Sequence, residues 1–323
     1  MPYLDLSELD VPQLILPFPA REYPQAQEIC DKTDQWMRDI GLVPTPERER
    51  HLIETQISRW FPAVVPYGDY STVLLGSRFL ALATISEDWI AEQHGISQGN
   101  LAAAMAEYMA CERIGRTLQR DSSSEAILPT IVHDLNQQLR DIATPDQVLR
   151  IQYHFMQFFL ASSTEAAHTN QGLTPEIAAY KRIRELTACM APFFTLSEIA
   201  RGLHTPLETL MRPETMQLTA LAGILSGISN DVIGLRRDLS RDDTMIYPSI
   251  LAHHQHCTFQ EAVYQMVDEF HRDVEEFVRR AEALCVADPR HGPGWVEVLQ
   301  DAVAGNVAWE YYSMRYTMEG WHR

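Results

Sequence analysis

Residues 221–238 read LAGILSGISNDVIGLRRD, in which an almost wholly apolar segment, 221–229, runs directly into a polar end. Asn230, Gly234 and Asp238 recur at every fourth position, so they share one stripe of a helix. An oxygen ligand at each end of that stripe can hold a hard divalent cation, and Arg237 beside Asp238 can bind the anion that the cation brings. The stretch predicts metal-assisted handling of a phosphate ester; the alternative is a buried helix with an ordinary polar last turn.

A second apolar helix is predicted to end in the same way. Residues 80–85 (LALATI) lead into SEDWIAE over 86–92, where Asp88 and Glu92 lie four residues apart on one helix face. Carboxylates at the end of a very apolar helix are costly to bury alone, and a metal ion is one way to satisfy them. A solvated helix end is the alternative, but two such motifs in one chain reinforce each other.

Composition limits the classes of function. The 323 residues carry a net charge of −18, which argues against a nucleic-acid binder because such proteins need a basic face. No apolar run approaches about 20 residues, so no membrane span is expected. The N-terminus lacks a signal-peptide layout, and five scattered cysteines form no C-x-x-C pair, which predicts a cytoplasmic protein with reduced thiols and no zinc site.

Helical periodicity dominates the chain after a Pro-rich start, and no stretch alternates as a strand would. We predict an all-α protein with an extended N-terminal arm over 1–20 and a single α-helical domain over 21–323. Four segments that are apolar on most faces, 72–85, 145–161, 186–194 and 213–228, should be central. The predicted helices are 24–40, 46–58, 72–93, 98–119, 123–140, 145–169, 174–201, 205–211, 213–239, 246–254, 258–286 and 294–317.

Four motifs, in this order along nearly the whole chain, resemble those of the microbial class I terpene cyclases. Glu87, Asp88 and Glu92 are similar to the aspartate-rich motif in its D-D-x-x-x-E form. The segment 175–188, with Pro175, Tyr180, Arg184, Thr187 and Ala188, is similar to P-x4-Y-x3-R-x-x-T-G. Residues 230–238 resemble N-D-x-x-[S/T]-x-x-x-E, and 306–316 resemble N-x-x-W-x5-R-Y, with Asn306, Trp309, Arg315 and Tyr316.

The resemblance implies an α-helical bundle of the class I terpenoid synthase type around a deep apolar cavity, with both metal motifs at its mouth. It implies three Mg²⁺ ions, or Mn²⁺ in their place, held by Glu87, Asp88, Glu92, Asn230, Gly234 and Asp238. It also implies diphosphate contacts from Arg184, Arg237, Arg315 and Tyr316, and a kinked helix at Thr187 and Ala188 that triggers ionisation. Pro192 cannot donate a backbone amide and should produce that kink.

Several positions depart from the family pattern. Glu87 stands at the first Asp of the aspartate-rich motif, unless Asp88 is that residue in a D-x-x-x-E frame. Gly234 replaces a Ser or Thr whose hydroxyl is a metal ligand, so a water is expected there. Asp238 is shorter than the usual Glu, and Ala188 replaces a common Gly. These changes point to weaker metal affinity or to a divergent branch.

A carbocation intermediate needs a dry cavity with aromatic faces, because π faces attract cations. Core packing is the alternative role of each aromatic side chain. Phe79, Phe158 and Trp309 are the preferred cavity residues, followed by Phe61, Trp89 and Phe155.

The predicted function is the Mg²⁺-dependent ionisation and cyclisation of an acyclic prenyl diphosphate, with farnesyl diphosphate preferred. Geranylgeranyl or methylated geranyl diphosphate stays open as the substrate, as does a degenerate homologue that binds without turnover. A chain-elongating prenyltransferase is disfavoured because the second motif begins with Asn230. Glu165-x-x-His168 is half of a di-iron motif, but no second copy accompanies it. A homodimer is expected from the resemblance alone.

Overall fold

The computed structural model describes residues 9–94, 100–119, 127–240, 243 and 245–317, with only the backbone described for residues 51, 85–94 and 317. Within these residues the regular structure is helical and contains no strand, so the all-α prediction is confirmed. The helices are α1 Ala26–Asp39, α2 Pro46–Glu49, α3 Trp60–Val64, α4 Tyr70–His94, α5 Leu101–Thr117, α6 Ile127–Ile142, α7 Pro145–Gln171, α8 Ile177–Thr187, α9 Met190–Ala200, α10 Leu207–Leu210, α11 Pro213–Ile233, α12 Leu235–Ser240, α13 Tyr247–Gln255, α14 Phe259–Ala287, α15 Gly292–Tyr312 and α16 Met314–Thr317.

Helix α11 is central, because it packs against α8, α9, α14 and α15. Helix α9 is also central, and every residue from Phe193 to Ala200 is buried. Both observations agree with the apolar segments predicted to lie inside. Helix α7 differs from the prediction: it contacts α5, α8 and α9 on one side but leaves large apolar side chains such as Leu149 and Leu160 exposed on the other.

Three long predicted helices are interrupted. The predicted helix 174–201 divides into α8 and α9 at Ala188 and Cys189, and Cys189 adopts the left-handed conformation (φ 54°). Pro192 follows in the first turn of α9 and has no N–H to bond the carbonyl of Ala188, which accounts for a break on its N-terminal side. The helix 213–239 bends at Gly234, and 294–317 is interrupted at Ser313.

Residues 46–64 form short helical pieces rather than the predicted single helix 46–58. Helix α2 runs into a π-helical turn over Arg50–Glu54, a 3₁₀ turn over Ile57–Arg59 and then α3. Helix α3 packs against α15, and Trp60 donates its indole Nε1 hydrogen to Asn306 Oδ1 at 2.7 Å. Tertiary packing on α15 therefore decides the path of this segment.

Residues 9–25 hold no helix, and they contact the C-terminal helices α14 and α15. The backbone amide of Leu14 donates to Tyr311 Oη at 2.9 Å, and Phe18 packs against Phe277 with ring centroids 5.9 Å apart. Among the helices that the structure describes, none combines the length and apolarity needed to cross a membrane.

Candidate active site

Arg184, near the end of α8, connects the 175–188 motif with the polar end of α11. Its Nη2 donates to Asn230 Oδ1 at 2.7 Å and lies 2.8 Å from Asp231 Oδ1, while Nε donates to the carbonyl of Gly227 at 3.2 Å. Helices α8 and α11 pack closely along this contact. Two segments that are 46 residues apart in sequence therefore form one site.

Asp231 holds the guanidinium of Arg184 in place. The carboxylate is buried, and its Oδ2 accepts hydrogen bonds from the Tyr180 hydroxyl and from the backbone amide of Tyr247 at 3.2 Å. Tyr180 and Tyr247 stack with ring centroids 5.6 Å apart. These contacts order the arginine before any ligand binds, which is the property required of a preorganised anion site.

The side-chain amide of Asn230 is fixed on both sides. Its Oδ1 accepts from Arg184, and its Nδ2 donates to Tyr316 Oη at 2.6 Å and to Glu310 Oε1 at 3.3 Å. Tyr316 lies on α16, and Arg237 on α12 stacks over its ring with the guanidinium carbon 4.7 Å from the centroid. The ends of α8, α11, α12 and α16 therefore converge on Asn230.

Arg237 and Asp238 form an ion pair, with Nε 2.6 Å from Oδ1. Gly234 lies between these side chains and Asn230. A β-carbon built on Gly234 would be 2.9 Å from Arg237 Nη2 and 3.0 Å from Asp238 Oδ2. The space that a Ser or Thr side chain would need is thus occupied by the ion pair, so position 234 supplies no side-chain ligand here.

The site brings buried and partly buried acids close to arginines that are largely buried. Burial raises the pKa of Asp231 to about 6, although Arg184 and the Tyr180 hydroxyl lower it. Burial likewise raises the pKa of Glu165 and of Glu310 to about 7 each. Burial lowers the pKa of Arg184, but the attractions to Asp231, Tyr180, Glu165 and Asp238 together outweigh it, so the net pKa is raised and the guanidinium stays charged.

The described oxygen donors suit a hard cation, because Asn230 Oδ1 and the Asp238 carboxylate are of the kind that Mg²⁺ prefers. Among the described residues, no three His, Cys, Asp or Glu side chains are placed to hold a metal ion. The predicted ligands Glu87, Asp88 and Glu92, and the predicted cavity residue Trp89, have side chains outside the described residues. Their backbone lies in the last turns of α4.

Arg315 carries a polar atom suited to an incoming ligand. Arg315 Nη1 is buried and has no hydrogen-bond partner among the described residues. Buried donors are nearly always satisfied, so this donor suits an anion. The hydroxyl of Thr187 interacts with Glu165 and lowers the pKa of that carboxyl group. Ala188 follows Thr187 at the C-terminus of α8, where its amide donates to the Arg184 carbonyl at 3.0 Å.

Aromatic side chains form a continuous chain of ring contacts beside this polar group. Phe193 is central, since it contacts Trp60, Phe61 and Phe155 with centroids 5.0, 5.7 and 6.2 Å apart. Phe155 also stacks on Phe79 at 6.0 Å. Trp60 connects the aromatic chain to α11, because its partner Asn306 donates to Ser229 Oγ at 3.1 Å, next to Asn230.

Of the other predicted cavity residues, Phe158 contacts Phe159 and is buried in the core, while Trp309 packs edge-on against Tyr316 at 5.7 Å. A cavity of about 50 Å³ lies between α4, α5, α6 and α7, where Phe79, Phe155 and Phe159 line it. Ligand sites usually measure several hundred Å³. We therefore do not assign an isoprenoid chain to this cavity.

Several residues of the site carry no predicted role. Asp231 stands within the 230–238 motif, where its neighbour Asn230 is the predicted ligand. Glu165 is half of a di-iron motif in the sequence, and in the structure it lies beside Arg184. Glu310 directly follows Trp309, at a position that the 306–316 motif leaves unspecified, and Phe193 is a candidate aromatic that is not among the six preferred cavity residues.

Comparisons with known proteins give a matching family model and several relatives. The model of a family described as terpene synthase family 2, C-terminal metal binding, matches residues 78–276. The chain is similar to spiroviolene synthase of Streptomyces violens, with 24% identity over 98% of this chain and 88% of that protein. It is also similar to the (−)-alpha-amorphene synthase of Streptomyces viridochromogenes, which is described as cyclizing (2E,6E)-farnesyl diphosphate, with 24% identity over 98% of this chain and 92% of that protein.

A solved structure gives the fold. The structure of 2-methylisoborneol synthase from Streptomyces coelicolor A3(2), in complex with Mg²⁺ and 2-fluoroneryl diphosphate, aligns with a TM-score of 0.85 at 18% identity. The alignment covers 96% of this chain and 98% of that one. The predicted α-bundle of the class I terpenoid synthase type is therefore confirmed.

Proposed function

Because the chain belongs to the terpene synthase family 2, whose model matches more than half of it, we propose that it ionises farnesyl diphosphate and cyclises the resulting carbocation to a terpene. The predicted family and the predicted enzyme class, a terpene synthase acting on a diphosphate ester, are confirmed by that match. The substrate and the residues that act on it are the proposal.

The observation that carries the proposal is the contact of Arg184 with both Asn230 and Asp231. The guanidinium of Arg184, which we propose as a diphosphate ligand, is permanently charged and lies beside the oxygen of Asn230, a proposed metal ligand. Arg237, Arg315 and Tyr316 add donors around the same point. Buried donors of fixed orientation stabilise a developing negative charge most strongly, because little reorganisation is needed as the charge forms.

We propose a divalent metal cofactor, Mg²⁺ with Mn²⁺ as an alternative, in the predicted number of three ions. Asn230 and Asp238 would hold it from one side, and Glu87, Asp88 and Glu92 from the other. Bound metal would neutralise the diphosphate and so favour cleavage of the allylic C–O bond. Gly234 would leave one coordination position to water.

The residues of the chain itself would hold the leaving group and exclude water. Arg184 would bind diphosphate oxygens while Asp231 keeps its guanidinium in place. Thr187 and Ala188, at the break between α8 and α9, would couple diphosphate binding to ionisation of the substrate. The rings of Phe61, Phe79, Phe155 and Phe193 would present π faces to the carbocation.

Farnesyl diphosphate is the substrate that we favour, since one similar protein is described as cyclizing it. The solved relative holds 2-fluoroneryl diphosphate, a shorter chain, so a shorter or a longer prenyl chain is the alternative. Localisation in the cytoplasm stays a prediction from the sequence.

Product analysis after incubation tests the proposal. The purified protein is supplied with Mg²⁺ and with geranyl, farnesyl or geranylgeranyl diphosphate in separate reactions, and organic extracts are analysed by gas chromatography with mass spectrometry. We expect a cyclic product from farnesyl diphosphate, and none with a chelator or with Asn230→Ala. A folded wild-type protein that yields no terpene from any of the three would overturn the proposal.

A binding protein without turnover is the second candidate function. The Arg237–Asp238 ion pair at 2.6 Å favours it, because the carboxylate of a proposed metal ligand already has a partner. Calorimetry with inorganic diphosphate and Mg²⁺ distinguishes the two. Binding combined with no product would support the second candidate, and product formation would exclude it.

We also propose that the chain forms a homodimer through α7. Apolar side chains at the 4-3-4 spacing of a coiled-coil seam are exposed along this helix, and two methionines of α5 extend the patch. The patch consists of Leu149, Tyr153, Met156 and Leu160 with Met105 and Met109. Light scattering after size exclusion should give a dimer for the wild type and a monomer for Leu160→Asp; a monomeric wild type would refute the dimer.

A further inference from the structure

We propose that Glu310 is a positioning residue that orients the side-chain amide of Asn230. The inference rests on the proposed function, in which Asn230 Oδ1 is a metal ligand. Glu310 stands at an unspecified position of the 306–316 motif, one residue after Trp309 on α15 and 80 residues from Asn230 in sequence.

Glu310 is an unusual residue for its surroundings. Only 1% of it is exposed, and it lies where α15 packs against α11. A carboxyl group is costly to remove from water, so its presence at a helix interface asks for a specific partner. Ser229, Asn230 and Asn306 all interact with its carboxyl group, and Asn230 Nδ2 donates to Glu310 Oε1 at 3.3 Å.

An asparagine amide can be rotated by half a turn with little change in shape, which exchanges its oxygen and its nitrogen. For Asn230 the correct orientation matters, because only the oxygen can bind a metal ion. Arg184 can only donate, so it favours the oxygen on its side. Glu310 accepts the hydrogen bond through Oε1, so it favours the nitrogen on the other side.

The remaining neighbour does not discriminate between these orientations. The hydroxyl of Tyr316, 2.6 Å from Asn230 Nδ2, can donate as well as accept. Among the described residues, removing Glu310 therefore leaves Arg184 as the one group that selects the orientation. Because Arg184 is also a proposed diphosphate ligand, its hold on Asn230 is weakened when diphosphate competes for it.

The position of Glu310 is itself well defined. Asn306 lies one turn before it on α15, accepts a hydrogen bond from Trp60 Nε1 and donates to Ser229 Oγ. These bonds fix α15 against the residue that precedes Asn230. The Glu310 carboxylate is therefore presented to the Asn230 amide by rigid elements rather than by a loop.

Metal binding without turnover tests this role. Binding of Mn²⁺ in the presence of inorganic diphosphate is measured by calorimetry for the wild type and for Glu310→Met, Glu310→Gln and Glu297→Gln. Methionine removes the acceptor, glutamine retains one acceptor oxygen, and Glu297 is a half-exposed acid on the same helix that serves as a matched control. We expect Kd for Mn²⁺ to rise about tenfold in Glu310→Met, clearly less in Glu310→Gln, and not at all in Glu297→Gln.

Two further measurements separate positioning from a structural role. Thermal unfolding of Glu310→Met should be unchanged or shifted upward, because an apolar group replaces a buried carboxyl while metal affinity falls. In an Asn230→Ala background, Glu310→Met should cause no additional loss of Mn²⁺ affinity, since the residue through which it acts is gone.

Wild-type affinity in folded Glu310→Met, or an undiminished loss in the Asn230→Ala background, would overturn the inference. If Glu310→Met does not fold, the same comparison is made with Glu310→Gln, and a Kd equal to that of the wild type would overturn it. A wild type that binds no Mn²⁺ with diphosphate would instead overturn the metal site of the proposed function, and the role of Glu310 with it.

Discussion

Replacing Glu165 by glutamine should make the folded protein more stable at alkaline pH. Glu165 lies on α7 beside Arg184 and Thr187, and burial raises the pKa of its carboxyl from 4.5 to about 7. A raised pKa in an acid means that the folded state binds the proton more tightly than the unfolded state does. The favourable contribution is therefore complete below pH 4.5 and is lost as the pH rises through about 7.

The magnitude follows from the difference between the two pKa values. Each pH unit corresponds to about 1.4 kcal/mol, so the full difference corresponds to about 3 kcal/mol. Glu165 is only partly buried, and water screens part of this energy, so we expect about 1–3 kcal/mol. The free energy of unfolding of Glu165→Gln should exceed that of the wild type by this amount at pH 8, and the two values should match near pH 5.

Urea unfolding followed by circular dichroism, at several pH values between 5 and 8 and without metal, measures the effect. Glu282→Gln serves as the control, because Glu282 is an exposed acid on α14. Its stability should follow the wild type at every pH. If the free energy of unfolding of Glu165→Gln also changes with pH as that of the wild type does, the Glu165 carboxyl does not titrate in this range. Our description of the buried charge around Arg184 would then be wrong.

Three other substitutions test separate parts of the structure. Asp231→Asn should lower the free energy of unfolding by about 3 kcal/mol in denaturant titrations, because Arg184 stays buried without its counter-charge; an effect below 1 kcal/mol would contradict this. Cys189→Gly should be about 1 kcal/mol more stable than Cys189→Ala, the reverse of the usual helical order, because the backbone there is left-handed; equal stability would contradict it. Gly76→Ala should lower the melting temperature, because the new methyl group would lie 2.0 Å from the Phe61 ring, which is fully buried; an unchanged melting temperature would contradict that packing.

The periodicity of apolar residues is sufficient to predict most of the long helices. Helices α4, α7 and α14 begin and end within a few residues of their predicted bounds, since each buries a broad face and begins or ends at a recognisable cap. The capping boxes at Thr144 and Thr258 are formed as residue types suggest. Short segments were not predictable, because the path of 46–64 depends on packing against α15.

The site was predictable where it followed local motifs and unpredictable where it depended on contacts across the bundle. Asn230 could be selected from its spacing and Arg184 from the family resemblance, and the structure brings them together. The role of Glu310 depends on how α15 packs on α11, which a single sequence does not reveal. The pairing of Arg237 with Asp238 likewise depends on the space left by Gly234, which the sequence alone does not reveal.

Anomalous diffraction from crystals grown with Mn²⁺ and inorganic diphosphate tests the central claim most directly. The account predicts manganese peaks within bonding distance of Asn230 Oδ1 and Asp238, with further peaks beside Asp88, and a diphosphate in contact with Arg184. Manganese bound elsewhere, or a diphosphate that does not touch Arg184, would contradict it.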